Sequence, residues 1–127
     1  MKAYTDLEQS KKLAEFLPLK SADMCFANDG TSIKIDANPY NVRKLMCKDY
    51  VVEVIPCWSL AALLELIPSN LDSSTLTIEK CDSEPFKYGL NYHDRWGRED
   101  DIQTKYYDDL VDACYEMILK LNEQKLL

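Results

Sequence analysis

The segment "CWSLAALLELIP", residues 57 to 68, is the most apolar stretch of this chain of 127 residues. Prolines at positions 56 and 68 bracket it, and Ser59 is placed to cap a helix that begins at Leu60. Leucine and isoleucine follow at the i, i+3, i+4, i+7 spacing of one helical face. A helix of about ten residues rises about 15 Å, half the hydrocarbon core of a bilayer. The segment therefore predicts a buried core helix, with a partner or subunit contact as the alternative, and not a membrane anchor.

The residues before this helix predict one helix and several strands. Thr5 and Glu8 have capping-box spacing in front of an apolar helical pattern that ends before Pro18. Residues 24 to 37 predict a hairpin, because Asp29-Gly30 supplies the positive φ that tight turns need. The segments "VRKLMC" and "YVVEVI", residues 42 to 47 and 50 to 55, predict two more strands.

The residues after the helix predict a second hairpin and a last helix. The polar stretch "SNLDSS" is expected to be a loop. The segments "TLTIEKC" and "PFKYGLNY" alternate apolar with polar residues, as two paired strands would. One helical stripe near the end consists of Leu110, Cys114, Met117, Ile118 and Leu121. The pattern predicts an α+β fold in which an antiparallel β-sheet of about four to six strands packs against about three helices, with residues 1 to 127 as a single globular domain.

The acidic composition bears on the kind of partner. The chain carries 22 acidic against 15 basic residues, a formal net charge of −7. Such a surface repels phosphate backbones, so no nucleic-acid binding is predicted, whereas a basic protein surface is a compatible partner. The polar N-terminus has no signal-peptide core and no run reaches the ~20 apolar residues of a membrane span. We therefore predict a cytoplasmic protein without membrane contact.

The cysteines and the lone histidine limit the chemistry that the sequence predicts. The five cysteines, at positions 25, 47, 57, 81 and 114, are widely spaced and form no Cys-x-x-Cys pair, which favours free thiols over a disulfide framework or a zinc ribbon. With His93 as the single histidine, no metal site and no cofactor are predicted. Cys57 near a helix start could be a nucleophile with His93 as its base, but a small buried apolar residue is the favoured interpretation.

The segment "NYHDRWGREDD", residues 91 to 101, is the most unusual polar stretch. It concentrates aromatic and arginine side chains, which are the types enriched at interface hot spots. The candidate partner-contact residues are Tyr92, His93, Arg95, Trp96 and Arg98. The alternative is a solvated connection in which Trp96 folds back on the core.

Three blocks of the chain resemble a known family. They are the opening "YTDLEQSKKLAEFLPLKSADMCF", the central "PCWSLAALLELIP" and the closing "DACYEMILKLNEQKLL", together about 40% of the chain. They are similar to blocks in a family of small uncharacterised proteins from gut bacteria, their phages and mobile elements. The resemblance implies a phage or mobile-element context, and it implies no activity, catalytic residue or cofactor.

These observations lead to three functional hypotheses. The first is a non-enzymatic factor that works by contact with another protein, as a small regulator or inhibitor. The alternative is a small-molecule-binding domain or minor enzyme that uses His93 and a cysteine. A weaker hypothesis is homodimer formation, with Tyr115 and Leu119 on the outer side of the last helix. No phosphate-binding glycine loop and no nucleophile elbow occurs to favour a particular enzyme class.

Overall fold

A computed structural model of the protein describes residues 2–28, 33–36, 53–81, 87–94 and 102–127. In chain order the elements are α1 (Leu7–Ala14), a 3-10 turn (Leu19–Ser21), β1 (Met24–Asn28), β2 (Ile33–Asp36), β3 (Glu53–Cys57), α2 (Leu60–Leu66), β4 (Asn70–Leu71), β5 (Ser74–Lys80), β6 (Tyr88–Asp94) and α3 (Leu110–Glu123). The predicted α+β class is confirmed. The described strands form two antiparallel sheets, in the orders β2-β1-β3 and β4-β5-β6, and not one continuous sheet.

The chain divides into two compact units. One comprises Tyr4–Ala62, and the other comprises Leu63–Leu127 together with Met1–Ala3. The boundary falls inside α2, so this helix contributes residues to both units. The expectation that residues 1 to 127 are a single globular domain stays a prediction, and each unit is described by itself below.

The sheet of the first unit contains the predicted hairpin. β1 and β2 pair antiparallel from Cys25 opposite Asp36 to Asn28 opposite Ile33. β3 pairs with the other edge of β1, and among the described strands none lies on its far side, a position that tolerates Pro56. β3 confirms residues 53 to 55 of the strand predicted at 50 to 55. The turn at 29 to 32 and the strand predicted at 42 to 47 lie outside the described residues.

The cap of α1 differs by one residue from the sequence prediction. Asp6 is the N-cap: its carboxylate accepts from the Gln9 backbone N–H at 2.8 Å, and the Gln9 side chain accepts from the Asp6 N–H at 3.1 Å. The predicted pair Thr5 and Glu8 does not form the capping box. The helix also ends at Ala14, three residues before Leu17, although Leu17 still donates to the Leu13 carbonyl at 2.9 Å.

Thr5 is buried, and its hydroxyl belongs to a cluster of hydrogen-bonded polar groups that includes Ser10 of α1. The Trp58 N–H donates to Thr5 Oγ1 at 3.2 Å, and the Thr5 N–H donates to the Trp58 carbonyl at 2.9 Å. The hydroxyls of Thr5 and Ser10 share a hydrogen bond of 2.8 Å. The Cys57 thiol donates to the Thr5 carbonyl at 3.4 Å, and Trp58 Nε1 donates to Ser21 Oγ at 3.0 Å. Each buried polar group named here therefore has a partner inside the unit.

The segment 57 to 68 contains the predicted helix, which spans Leu60–Leu66. Ser59 caps α2, since its hydroxyl accepts from the Ala62 N–H at 3.2 Å. Asp23 orients this cap: one carboxylate oxygen accepts from the Ser59 N–H at 2.9 Å and the other from the Ser59 hydroxyl. Leu63 and Ile67 are buried, whereas Leu60 and Leu64 of the same predicted stripe are half-buried.

The second unit consists of the sheet β4-β5-β6 and α3, which packs against β6. β4 is a strand that the sequence did not predict, and it joins β5 through a two-residue turn in which Asp72 has a φ of 52°. The predicted stripe on α3 is confirmed apart from Leu110, which is half-buried. The buried residues of α3 are Val111, Ala113, Cys114, Met117, Ile118 and Leu121.

Candidate functional site

The register of β5 and β6 assembles polar side chains on one face of the second sheet. Directly opposite residues of an antiparallel pair lie on the same face. Thr75 pairs with His93, Thr77 with Asn91, and Glu79 with Gly89. This face therefore brings a carboxylate, an amide and the single histidine of the chain into neighbouring positions.

Glu79 is the centre of that face. Asn91 Nδ2 donates to Glu79 Oε1 at 2.7 Å, and the Tyr106 hydroxyl donates to Glu79 Oε2. We call Glu79, Asn91 and Tyr106 the Glu79 cluster. The bond from Tyr106, then that from Asn91, holds the pKa of Glu79 below its ordinary value, and the charge of His93 adds to this effect. The same bond raises the pKa of Tyr106, as expected when a neutral phenol donates to an ionised carboxylate.

Gly89 allows the Tyr106 ring to lie on this face. A Cβ atom at Gly89 would stand 3.1 Å from Tyr106 Cε1 and 3.2 Å from Cδ1, closer than ordinary carbon contacts. Because glycine has no side chain, the ring reaches across β6 to Glu79 on the neighbouring strand. Tyr106 remains 41% exposed, so the cluster is open to solvent on one side.

Residues 102–107, which we call the covering segment, protect the outer edge of β6. Tyr107 and Tyr88 exchange two backbone hydrogen bonds, of 2.7 and 2.8 Å. The Tyr92 N–H donates to the Ile102 carbonyl at 3.0 Å, and the Leu90 N–H donates to the Thr104 hydroxyl at 3.0 Å. This edge of the sheet is therefore hydrogen-bonded to the covering segment from Tyr88 to Tyr92.

The covering segment is also attached to α3. The Lys105 N–H donates to the Glu116 carboxylate at 2.9 Å, and Lys120 Nζ donates to the Gln103 carbonyl at 2.6 Å. Glu116 and Lys120 also form an i,i+4 ion pair on α3, with N and O 3.8 Å apart. The two side chains of this pair thus hold residues 103 and 105 of the covering segment against α3.

The opposite edge of the sheet, along β5, is only partly covered. The Leu76 N–H donates outward to the Ser69 carbonyl at 2.9 Å, and the Cys81 N–H donates inward to the Lys87 carbonyl at 2.7 Å. Backbone groups alternate direction along an antiparallel strand, so those of Ile78 and Lys80 also face outward. Within the described part of the chain no strand pairs with them. We call this stretch the open edge; Ile78 there is 46% exposed and Lys80 is exposed.

The residues proposed from the sequence as partner contacts are in different situations. Tyr92 is 1% exposed; its hydroxyl donates to the Pro68 carbonyl at 2.5 Å, and burial raises its pKa to about 12. It is therefore a core residue in this conformation. His93 is exposed on the polar face of β6. Arg95, Trp96 and Arg98 lie outside the described residues.

Cys57 and Cys114 do not have the environment of nucleophiles. Cys57 is completely buried, and burial raises the pKa of its thiol despite hydrogen bonds from Thr5 and Ser10. Burial raises the pKa of Cys114 to about 12. Both groups are thus neutral thiols near pH 7, and a reactive cysteine needs the thiolate. Cys81 is half-buried, and its charge contributes to the raised pKa of Tyr106.

Sequence reasoning did not select Glu79, Asn91 or Tyr106. The alternation of "TLTIEK" already placed Glu79 on the wet face of β5, so the signal for a polar face was present. The contribution of Tyr106 could not be read from a pattern, because it depends on the covering segment returning to β6. Among the described residues no group of three or more His, Cys, Asp and Glu side chains could hold a metal ion.

Comparison with known proteins gave no further indication of function: no family model, no curated protein and no solved structure matches this chain. None of the helices in the described ranges has the length and apolar character needed to cross a membrane.

Proposed function

We propose that the protein works by contact with another protein and that the contact surface is the open edge of β5. The observation that carries this proposal is the asymmetry of the second sheet. The covering segment satisfies β6, whereas Ile78 and Lys80 have no neighbouring strand within the described residues. An uncovered strand edge offers unpaired N–H and C=O groups to another chain.

The charge of the protein indicates the kind of partner. A net charge of −7 attracts a basic protein surface and disfavours an acidic one. The family resemblance adds a phage or mobile-element context, in which a basic host or phage protein is the expected partner. The proposed role is a small cytoplasmic regulator or inhibitor, and the odd number and wide spacing of the cysteines support a reducing compartment.

Site-specific crosslinking tests this proposal. A photo-reactive phenylalanine is introduced into the full chain at Ile78 and, as a control, at the exposed position Glu8 on α1. In native-host extract we expect a discrete crosslinked protein from the first position only. The crosslinked partner, once identified and purified, should bind the wild-type chain and should not bind the Ile78→Asp variant. The variant must have the same melting temperature as the wild-type protein. Equal crosslinking from both positions, or equal binding of Ile78→Asp, would reject the open edge as the contact surface.

A second candidate function has support from the Glu79 cluster. Asn91 Oδ1 is buried and accepts no hydrogen bond from the described residues, next to a carboxylate, a phenol and the exposed His93. Convergent polar groups of this kind are typical of small-molecule sites. Cys81 is the cysteine associated with this site, because it influences the pKa of Tyr106 electrostatically. This candidate retains His93 and a cysteine from the sequence hypothesis and replaces Cys57 by Cys81.

A thermal-shift screen against metabolites and divalent metals tests the second candidate. A ligand of this site should raise the melting temperature of the wild-type protein, and the shift should disappear in Glu79→Gln and in His93→Ala. A shift of equal size in both variants would place the ligand elsewhere. Thr75→Val on the same face is the control, because its hydroxyl contacts Asn70 and not the cluster.

A further inference from the structure

We infer that the open edge accepts an extended antiparallel strand of a different protein, in which an acidic, a basic and an apolar residue follow one another from N- to C-terminus. This inference rests on the proposed function and specifies how the partner would be recognised. It follows from the direction of the backbone groups at Ile78 and Lys80 and from the side chains of Ile78, Glu79 and Lys80.

The backbone of the open edge sets the length and the register of the added strand. Ile78 and Lys80 each present an outward N–H and C=O, whereas Leu76 is already engaged by Ser69. An added strand therefore pairs with the part of β5 that follows Leu76, and it forms up to four hydrogen bonds there. Antiparallel pairing is the more stable arrangement, and it continues the pairing of β5 with β6.

The side chains of β5 set the chemistry of the added strand. Directly opposite side chains of an antiparallel pair interact, and opposite charges or two apolar groups are favourable there. Exposed Ile78 selects an apolar residue, Glu79 a basic residue and Lys80 an acidic residue. Because the added strand runs in the reverse direction, its order is acidic, basic, apolar.

Glu79 has the capacity for this further contact. An ionised carboxylate offers about four acceptor positions on two oxygens. Asn91 and Tyr106 use one position on each oxygen. Their two bonds also fix the orientation of the carboxylate before a partner arrives, so little side-chain freedom remains to be lost on binding.

A second copy of this chain fits the open edge poorly. A two-fold axis at Glu79 would place the two Glu79 carboxylates directly opposite each other, which is destabilising. An axis at Ile78 would pair Lys80 with Leu76 of the second copy, where the outward N–H already donates to Ser69. The net charge of −7 on each copy adds repulsion. The geometry therefore favours a different protein.

Binding of short synthetic peptides tests the inference with the full-length protein. The probe is a labelled peptide with the core Glu-Arg-Val, and the controls are the charge-swapped core Lys-Glu-Val and the reversed core Val-Arg-Glu. Fluorescence anisotropy should show binding of the probe, with the charge-swapped peptide weaker by about tenfold because two favourable cross-strand pairs become like-charge pairs. Amide exchange of Ile78 and Lys80 should slow when the probe binds.

Two protein variants complete the test. Ile78→Pro removes an outward donor and leaves the β5–β6 hydrogen bonds intact, so it should abolish binding, whereas Ile78→Thr keeps the donor and should only weaken it. The second variant, Lys80→Glu, keeps the test valid if the proline variant does not fold. It should shift the binding preference by about tenfold from the probe Glu-Arg-Val toward a peptide with the core Lys-Arg-Val.

Four outcomes would overturn the inference. They are equal affinity for the probe and the charge-swapped peptide, undiminished binding to folded Ile78→Pro, an unchanged preference in Lys80→Glu, and a concentration-dependent dimer in light scattering that Ile78→Pro abolishes. The dimer would show that the occupant is a second copy. If the peptides fail while crosslinking from Ile78 captures a partner that Ile78→Asp loses, strand addition is rejected and the proposed function stands.

Discussion

Thr5 shows that a side chain can match a helix-capping motif in sequence and still make tertiary hydrogen bonds instead of forming the cap. It stands three residues before Glu8, as a capping residue would, yet Asp6 forms the cap. The hydroxyl of Thr5 instead bonds Ser10 and receives the N–H of Trp58, 53 positions along the chain. A capping rule considers only neighbours in sequence, so it cannot detect the competing partner that the fold supplies.

The polar cluster around Thr5 makes a prediction about stability. Thr5→Val keeps the shape of the side chain but leaves the Trp58 N–H without its acceptor and removes one of the partners of the Ser10 hydroxyl. We expect the free energy of unfolding to fall by about 1–3 kcal/mol, the cost of buried unsatisfied polar groups. Urea denaturation measures this. The same change at exposed Thr75 should cost less than about 0.5 kcal/mol, and equal losses at both sites would show that the cluster contributes nothing.

The Glu79–Tyr106 hydrogen bond predicts a pH dependence of stability. The pKa of Glu79 is lowered in the folded protein, chiefly by Tyr106 and then by Asn91. The stabilisation is therefore present above the ordinary pKa of a glutamate and is lost as the pH falls through the lowered value.

Removing the phenol hydroxyl tests this pH dependence. Tyr106→Phe should be less stable than the wild-type protein at pH 7, and the difference should shrink as the pH falls from 5 toward 2.5. Denaturant titration at each pH measures it. The control is Tyr4→Phe, at a tyrosine with similar exposure, 38% against 41%. A difference that stays constant down to pH 2.5 would mean that the bond does not depend on the charge of Glu79.

At the scale of elements, the periodic patterns were the reliable signals. The hairpin β1–β2, the capped helix α2 and the buried stripe of α3 follow from local periodicity and turn chemistry. β4 escaped prediction because two residues are too few to show alternation. The covering segment escaped because its hydrogen bonds to β6 are isolated bridges, which need no periodic pattern.

Packing of the covering segment against β6 predicts that replacing Gly89 by alanine changes the stability in the direction opposite to the usual one. Alanine is normally favoured over glycine in a strand by about 0.5–1 kcal/mol. Here the new Cβ would press on the Tyr106 ring at 3.1 Å and disturb its bond to Glu79, so Gly89→Ala should destabilise the protein.

A double-mutant cycle measures this coupling. In a Tyr106→Ala background the ring is absent, so Gly89→Ala should become neutral or stabilising, as thermal unfolding would show. If Gly89→Ala costs the same in both backgrounds, the Tyr106 ring does not restrict that position.

At the scale of the whole molecule, charge predicts how association depends on salt. A net charge of −7 accelerates encounter with a basic partner, and salt screens this attraction, with a Debye length of ~10 Å at 0.1 M. The association rate for the Glu-Arg-Val peptide extended by flanking lysines should fall on going from 50 to 500 mM NaCl. The dissociation rate should change less, as stopped-flow measurements would show. An association rate independent of salt would exclude electrostatic steering.

The sequence by itself determined the α+β class, the acidic net charge, and the existence of α2 and α3. These properties depend on composition and on neighbours a few residues apart. Only the tertiary structure decided that Tyr92 is a core residue, that Glu79, Asn91 and Tyr106 meet, and that the covering segment pairs with β6 whereas no described strand pairs with β5 beyond Leu76. Those features depend on strand register and on a segment that returns to the sheet after β6, and contacts between residues distant in sequence leave no periodic pattern in the chain.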